Sequence, residues 1–285
     1  MYNNLVNRAI TAMNNAGFEV LGFKKKDYGP LKLKVVSAGP EPGELGYKGT
    51  PVSQRSPELS IVKRSPGETC DLVRYLGASD WRHALSLTQE VIRAGNTAAL
   101  NVGDFIRVSF CVPEASHKDV NFKNLNVTDA KVQIVHISPN KIIFNFDGII
   151  FLSAINAKNK NDGGFKESAL AEYLNNEFLA AMDISYLLLE NNNEQDISLP
   201  TAFELFGDEE YWAPESNYFD EPRQIDFFKN IKNRIKVWEG DTHWHWTSSA
   251  RASSSSNFCH VNINGNSNHD DANSVGGVAP VFCVA

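Results

Sequence analysis

The C-terminal stretch from His243 to Ala285 constrains this chain most, because it combines a disorder-prone composition with regularly spaced apolar residues. It holds six Asn, eight Ser, four of the chain's seven His and, apart from His, a single basic residue, Arg251. Asn and Ser at this density normally leave too little apolar surface to offset the entropy lost on ordering. The apolar residues between them predict instead a polar display surface held on a folded scaffold.

This scaffold is predicted from apolar anchors and from glycines that mark turns, Gly265, Gly276 and Gly277. The anchors are Trp244, Trp246, Phe258, Val261, Ile263, Ala272, Val278, Val281 and Phe282. Because side chains alternate along a strand, we expect the anchors to face a core and the polar residues to face solvent. The polar residues expected on one exposed face are His243, His245, Arg251, His260, Asn262, Asn266, His269 and Asp271.

Length and charge limit the class of protein. The chain has 285 residues, enough for one large domain or two ordinary ones. Its net charge of -7 argues against a general phosphate-binding surface, so no nucleic-acid partner is expected. No apolar run reaches the roughly 18 residues of a membrane span, so no membrane insertion is expected. The N-terminus lacks the basic start and apolar core of a signal peptide.

The four cysteines, Cys70, Cys111, Cys259 and Cys283, show neither a CxxC pair nor metal-ligand spacing. Buried thiols are therefore favoured over disulfides.

Hydrophobic periodicity predicts a mixture of helices and strands, which makes the fold class α+β. Helical patterns cover 3–16, 81–95, 165–181, 199–206 and 224–235. Strand patterns cover 18–23, 105–112, 132–137, 141–146 and 148–152. Ser79 or Asp80 is expected to cap the second helix, and Thr201 the fourth. Residues 27–68, which lie between the first predicted strand and the second predicted helix, contain six Pro and short β-like runs at 31–36 and 59–63. This segment therefore cannot form a core alone.

The order of five C-terminal motifs carries a family resemblance. They read LPTAFELFG, FFKNIKNRI, WHWTSSA, FCHVNINGN and GVAPVFCVA. Upstream, GDFIRVSF, GIIFLS and EYLNNEF follow in the same order. Residues 99–285 thereby resemble the variable proteins of diversity-generating retroelements, found in phages, archaeal viruses and some cells. The resemblance implies a C-type-lectin-like fold related to the formylglycine-generating enzymes, preceded by an N-terminal helical and Pro-rich extension.

In that family a reverse transcriptase alters adenines of a template, so changed positions end as Asn, Ser, Asp, His, Gly, Tyr and similar residues. The resemblance implies a variable, ligand-binding role for a set of sixteen positions, here called the variable set. It comprises His243, His245, Arg251, Ser253, Ser255, Asn257, His260, Asn262, Asn264, Asn266, Asn268, His269, Asp270, Asp271, Asn273 and Val275. The corresponding framework comprises Trp244, Trp246, Ser248, Ser249, Phe258, Val261, Gly265, Ala272, Gly277, Val278, Pro280 and Phe282.

Other interpretations of the same residues are weaker. His243 and His245 lie two apart, but a structural zinc site needs three or four ligands. Asp270 and Asp271 offer oxygen ligands for calcium, yet no lectin-type EPN, QPD or WND motif accompanies them. Cys259 and Cys283 are the only candidates for the paired-cysteine chemistry of the formylglycine-generating enzymes, and inert buried thiols are favoured.

The sequence therefore predicts residues 1–96 as an N-terminal extension and 97–285 as a C-type-lectin-like domain, with the variable region at 243–275. The expected function is recognition of a protein or glycan on a target cell, from a virion or cell surface, without catalysis, cofactor or metal. An oligomer is compatible with this function. Two alternatives stay open: an active or degenerate formylglycine-generating-type enzyme, and a fixed carbohydrate-binding module.

Overall fold

The computed structural model describes residues 64–65, 67–188, 197–207 and 224–285, with two short strands near the N-terminus. The chain divides into two units, Met1–Ser60 and Ile61–Ala285. In the first unit, β1 (Phe18–Glu19) pairs antiparallel with β2 (Lys34–Val35). The predicted helix over 3–16, the run at 59–63 and the rest of the predicted strand over 18–23 lie outside the described residues.

The second unit is α+β and consists mostly of strands, as predicted for the fold class. Its strands are β3 (Phe105–Val112), β4 (Ala115–His117), β5 (Val120–Phe122), β6 (Leu125–Ile137), β7 (Ile142–Phe146), β8 (Phe151–Ser153), β9 (Ile197–Ser198), β10 (Lys236–Trp238), β11 (Asp241–His243), β12 (His245–Ala250), β13 (Asn257–Val261), β14 (Ser267–Asp271), β15 (Gly276–Val278) and β16 (Val281–Val284). Its α-helices are α1 (Leu72–Tyr75), α2 (Trp81–Arg93), α3 (Ala169–Tyr173), α4 (Leu179–Met182), α5 (Ala202–Phe206) and α6 (Asp226–Lys229). Short 3-10 helices cover Thr97–Ala99, Phe165–Glu167, Ser185–Leu187 and Ile231–Arg234.

Two five-stranded sheets form the frame of this unit. The first sheet has the order β3-β6-β7-β16-β9, and the second sheet has the order β14-β13-β12-β15-β8. In the second sheet, β12 runs parallel to β15, with His245 opposite Gly277, while the other pairs are antiparallel. The C-terminal stretch therefore supplies four of the five strands of the second sheet, and its last strand, β16, belongs to the first.

The strand predictions for the first sheet are confirmed in type. β3 matches the predicted 105–112 and alternates buried Ile106, Val108 and Phe110 with exposed Arg107 and Ser109. The predicted hairpin is β6 and β7, but β6 begins earlier, at Leu125. The strand predicted over 148–152 is observed as β8 of the second sheet, three residues further along at its start.

The predicted helix caps are confirmed, and Asp80 rather than Ser79 caps α2. The Asp80 Oδ1 atom accepts a hydrogen bond of 2.9 Å from the backbone N–H of His83. Thr201 and Glu204 form a reciprocal capping box at the start of α5. α2 buries Trp81, Leu85 and Ile92 in the main core, so residues before 97 belong to the same unit as the sheets.

The single helix predicted over 165–181 is divided in the structure. Ser168 Oγ accepts from the Ala171 N–H and caps α3. This cap separates α3 from the 3-10 helix Phe165–Glu167 that precedes it. A π-helical turn, Leu174–Phe178, then separates α3 from α4. In this turn the Asn175 amide bonds both the backbone oxygen of Ala171 and the backbone of Ile197 in β9. This wider turn lets one helix side chain pair with the end of a sheet.

Two hydrophobic cores pack against opposite faces of strands such as β13 and β16. The main core includes Phe144 and Phe282 of the first sheet and Trp246 and Phe258 of the second. A smaller core packs Leu205, Ile225 and Phe228 against residues such as Val281, Cys283 and Val261. Neighbouring residues of one strand thus enter different cores, as Val281 and Phe282 do. This explains why the C-terminal strands are apolar on both faces.

A buried ion pair connects residues 64–70 to the start of β3. Asp104 is fully buried, and its carboxylate accepts hydrogen bonds from Arg64 and from the backbone N–H groups of Cys70 and Asn101. Two nitrogens of the Arg64 guanidinium and two backbone N–H groups donate to a carboxylate that would otherwise be costly to bury. Within the described residues, no helix has the length and apolar character needed to cross a membrane.

Candidate functional site

Strands β12 and β13 carry the main anchors of the C-terminal stretch, and these are buried as predicted. Every residue of β12 is buried, and the Trp246 Nε1 atom donates to the Ser153 backbone oxygen at 2.9 Å. The buried members of the framework are Trp246, Ser248, Ser249, Phe258, Val261, Gly265, Ala272, Gly277, Val278, Pro280 and Phe282. Trp244 is half-buried.

The predicted separation of polar and apolar residues onto opposite faces is wrong. Trp246 lies directly opposite His260 in the β12–β13 ladder, so the two side chains share a face. Phe258 lies on that face too, because it is two residues from His260, whereas Val261 enters the smaller core on the other side. Both faces of these strands are covered, so alternation does not separate core from solvent here.

His245 is buried with 2% of its surface exposed, which contradicts its expected exposure. Its Nδ1 atom has no hydrogen-bond partner among the described residues. Burial lowers the pKa of His245 well below its ordinary value, and nearby Lys236 acts in the same direction. The Lys236 Nζ atom donates to Asn145 Oδ1 at 2.7 Å and to the Phe146 oxygen at 2.8 Å, and burial lowers its pKa to about 8.

His260 is also buried, with 7% of its surface exposed, and lies in an aromatic cluster around Trp244. The Trp244 ring centroid is 4.7 Å from His260, 4.8 Å from Trp246 and 5.9 Å from His243. A side chain at Gly276 would clash with both indole rings, so only glycine fits beside them. Burial lowers the pKa of His260 to about 4, so its imidazole is neutral near pH 7.

The loop between β12 and β13 presents the first exposed members of the variable set. Ser253 and Ser255 are exposed, while Arg251 and Asn257 are half-buried. Arg251 contacts the ring of His269 on the neighbouring strand. The Asn257 side chain donates to the Asp271 carboxylate at 2.9 Å, which links this loop to the end of β14.

The turn between β13 and β14 is held by one of its own side chains. Asn262 Oδ1 accepts from the backbone N–H groups of Asn264 at 2.9 Å and Asn266 at 3.1 Å. Gly265 has a φ of 80°, a conformation that other residues rarely adopt. Asn264 and Asn266 themselves are exposed. Asn262 therefore has a structural role that its two exposed neighbours lack.

β14 is an edge strand of the second sheet, since it pairs with β13 alone among the described strands. Asn268 lies opposite His260, so it shares the face of His260 and Trp246. His269 lies opposite Cys259 on the other face, with Arg251 beside it. Successive members of the variable set therefore point to both sides of this edge.

The last turn, between β14 and β15, carries Asn273 and Val275, both exposed. Val275 exposes 59% of its surface. Ile263, predicted as an anchor, exposes 51% of its surface, so that assignment is wrong. The reason is its position in the Asn262–Asn266 turn, where strand alternation no longer applies.

Most of the variable set lies on the edge strand β14 and in the loops that join β12, β13, β14 and β15, and not on one flat face, while His243 lies in β11 of a separate two-stranded sheet. Its exposed members are Ser253, Ser255, Asn264, Asn266, Asn268, His269, Asn273 and Val275. Its half-buried members are His243, Arg251, Asn257, Asn262, Asp270 and Asp271. Only His245 and His260 are buried. We call the exposed and half-buried members together the display ridge.

A loop from outside the C-terminal stretch supports this ridge, and the sequence did not predict that contact. The Asn161 side chain and backbone bond to the main chain of residues 254–257. The backbone N–H groups of Ile155 and Asn156 bond to the Ala272 oxygen. Residues 158–164 read only as a polar loop, and no local pattern predicts which distant segment such a loop contacts.

In the described part of the chain, the residues considered for a metal site or for paired-cysteine chemistry do not come together. No group of three or more His, Cys, Asp or Glu side chains is placed to hold a metal ion there. The four cysteines form no disulfide, and Cys259 and Cys283 are buried, as predicted. Cys111 is exposed and Cys70 half-buried, so the prediction of burial is wrong for Cys111 and only partly met by Cys70.

No protein-family model, no curated protein and no solved structure matches this chain.

Proposed function

We propose that the display ridge is a ligand-binding surface for a protein or glycan on a target cell, on a scaffold of the C-type-lectin-like type. We further propose that a retroelement reverse transcriptase diversifies its positions. The proposal rests on the sequence resemblance together with the surroundings of the variable set.

One observation carries the structural part of the proposal. Fourteen of the sixteen positions, all except His245 and His260, are at least partly exposed, while the interleaved anchors Trp246 and Phe258 are fully buried. Substitution of exposed residues usually changes stability by less than about half a kcal/mol. A surface of this kind tolerates many different side chains while the fold stays intact.

The shape of the ridge favours recognition by side chains from both sides of the β14 edge. Asn268 and Asp270 lie on one face, and His269 and Asp271 lie on the other. Because a few residues usually dominate the affinity of an interface, changes at a few ridge positions would replace one partner with another. His245 and His260 are excluded from free variation in this proposal, because each is buried against aromatic or charged neighbours.

The test replaces six of the eight exposed ridge residues, Ser253, Ser255, Asn264, Asn266, His269 and Asn273, by those of another variant of the same scaffold. Thermal melting and binding to a glycan array and to a panel of displayed cell-surface proteins are measured for both chains. We expect unchanged melting with a changed binding profile. Unfolding of the graft, or a binding profile identical to that of the original chain, would contradict the proposal. Either result would favour the fixed carbohydrate-binding module or the enzyme instead.

A separate genetic test addresses diversification. A near-copy of the DNA coding for residues 243–285, next to a reverse transcriptase gene, is expected beside the gene of this chain. Differences between loci of one population should fall on ridge positions and on template adenines. Differences spread evenly over residues 100–285 would reject diversification and leave the binding proposal to the graft experiment.

A further inference from the structure

Asn161 bonds to the loop between β12 and β13 at three points. Its side-chain Nδ2 atom donates to the backbone oxygens of Ser254 at 2.8 Å and Asn257 at 3.0 Å. Its backbone N–H donates to the backbone oxygen of Ser255 at 3.0 Å. One residue from a distant loop thus holds the backbone at Ser254, Ser255 and Asn257, where the loop after β12 enters β13.

All three acceptors are main-chain carbonyl groups, so these bonds do not depend on the loop's side chains. The side chains of Ser253 and Ser255 are exposed and take no part in them. Within the loop, Ser254 Oγ accepts from the backbone N–H groups of Ser256 and Asn257 and donates to Asn257 Oδ1. Ser254 lies outside the variable set, so the side chain at the centre of the loop is a fixed one.

The segment that carries Asn161 is itself firmly attached. Asn156 Oδ1 accepts from the Ala169 N–H at the start of α3, and Asn156 Nδ2 donates to the Lys160 oxygen. The Ile155 and Asn156 N–H groups bond to the Ala272 oxygen at 3.0 and 2.9 Å. The same segment therefore connects the main helix region to two turns of the display ridge.

We propose that Asn161 is the positioning residue of the ridge loop, fixing the path of residues 254–257 whatever side chains stand at 253 and 255. This inference rests on the proposed function, since it explains how a binding surface changes its chemistry without changing its backbone. Bonds to carbonyl groups are the only kind that every replacement side chain leaves available.

The test measures amide hydrogen exchange at Ser254, Ser256 and Asn257 in the full chain. Asn161→Asp keeps the size of the side chain but removes both Nδ2 donors and places a carboxylate against carbonyl oxygens. We expect exchange of these amides to accelerate by about tenfold, as expected for the loss of two hydrogen bonds. Exchange at Cys259 and Val261 in β13 should stay unchanged. Asn159→Ala, an exposed neighbour in the same segment, is the matched control and should change neither.

A second variant tests independence from side chains. Ser253→Tyr combined with Ser255→Tyr should leave exchange of the same amides within about twofold, because neither serine side chain joins the bonds to Asn161. Unchanged loop exchange in Asn161→Asp, equal acceleration throughout β13, or acceleration by the tyrosine pair would each overturn the proposal. Neither measurement uses a ligand, so failure of the proposed binding function is scored separately.

Discussion

Trp246 and Asn266 lie twenty residues apart, and the structure gives their side chains opposite surroundings. Trp246 is fully buried and bonded through Nε1, whereas the Asn266 side chain is exposed. Trp246→Ala should lower the free energy of unfolding by about 3–5 kcal/mol, through lost burial and a cavity. Asn266→Ala should change it by less than about half a kcal/mol. Denaturant midpoints measure both, and equal midpoints would contradict the anchor assignment.

His245 and His260 predict how stability responds to acid. Burial lowers the pKa of His245 well below 6.5 and that of His260 to about 4, so both are neutral in the folded chain near pH 6. The unfolded chain binds protons at both residues as pH falls below about 6.5, which favours unfolding. Stability should therefore fall between pH 7 and pH 5.

The double variant His245→Gln, His260→Gln removes both titrating groups. Its own stability at pH 7 will differ from that of the wild type, so the change between pH 7 and pH 5 is the quantity to compare. We expect this change, from urea unfolding at each pH, to be smaller in the variant. An equal loss in both proteins would show that other groups cause the acid sensitivity.

The burial of His245 and His260 could not be predicted from the sequence. The spacing correctly identified Trp246, Phe258 and Phe282 as buried, because large apolar side chains have one favourable environment. Alternation, however, predicts only which residues share a face, and not whether that face is covered. The smaller core brings Leu205 and Phe228 onto the second face, and that packing is a property of the tertiary structure.

At the scale of elements, the edge strand β14 protects two of its outward backbone donors with its own side chains. The Asn262 N–H bonds to the Asn266 oxygen, so Asn268 and Asp270 pair with β13 and the N–H groups of His269 and Asp271 point outward. Asn268 Oδ1 accepts from His269 at 2.9 Å, and Asp270 Oδ1 accepts from Asp271 at 2.8 Å. Unpaired edge donors promote pairing between chains.

Asn268→Ala combined with Asp270→Ala should therefore increase self-association, measured by sedimentation velocity over a concentration series. Two matched variants separate the causes. Asp270→Asn keeps the Oδ1 acceptor but removes the charge, and it should sediment like the wild type. Asn264→Ala with Asn273→Ala places two alanines in neighbouring turns and should also leave sedimentation unchanged. Association by Asp270→Asn alone would assign the effect to charge.

Hydrophobic periodicity predicted an element well where its apolar residues follow a single period along its whole length, as in β3 and α2. It failed in the interior of 165–181, where the sequence remains helical but the structure inserts a π turn. In this turn Asn175 bonds to β9, a strand more than twenty residues further along the chain. Such pairing between distant segments leaves no trace in a local pattern.

At the scale of the whole molecule, the core extends across the boundary predicted at residue 97. α2 contributes Trp81, Leu85 and Ile92 to the main core, together with Trp246 and Phe258 from the stretch that carries the ridge. That boundary was placed at residue 97 because the family resemblance begins near residue 99, so α2 was grouped with the extension. The scaffold of the ridge therefore includes residues from both sides of that boundary.

A pair of fragments tests this view of the molecule. Residues 61–285 retain α2 and Arg64, whereas residues 97–285 lose both and leave the fully buried Asp104 carboxylate without its guanidinium partner. Breaking a buried ion pair typically costs about 3–5 kcal/mol. Losing buried side chains such as Trp81 and Leu85 adds comparable amounts, and the total reaches the usual stability of a domain, roughly 5–15 kcal/mol.

We expect fragment 61–285 to melt in one cooperative transition and fragment 97–285 to lack it, measured by calorimetry and near-UV circular dichroism. Asp104→Asn in fragment 97–285 removes the unpaired charge and isolates its share. If that substitution restores cooperative melting, the ion pair is the main contribution of residues 61–96. If it does not, the packing of α2 is. Cooperative melting of unaltered 97–285, with native near-UV signals, would show that the scaffold of the ridge begins at the boundary predicted from the resemblance.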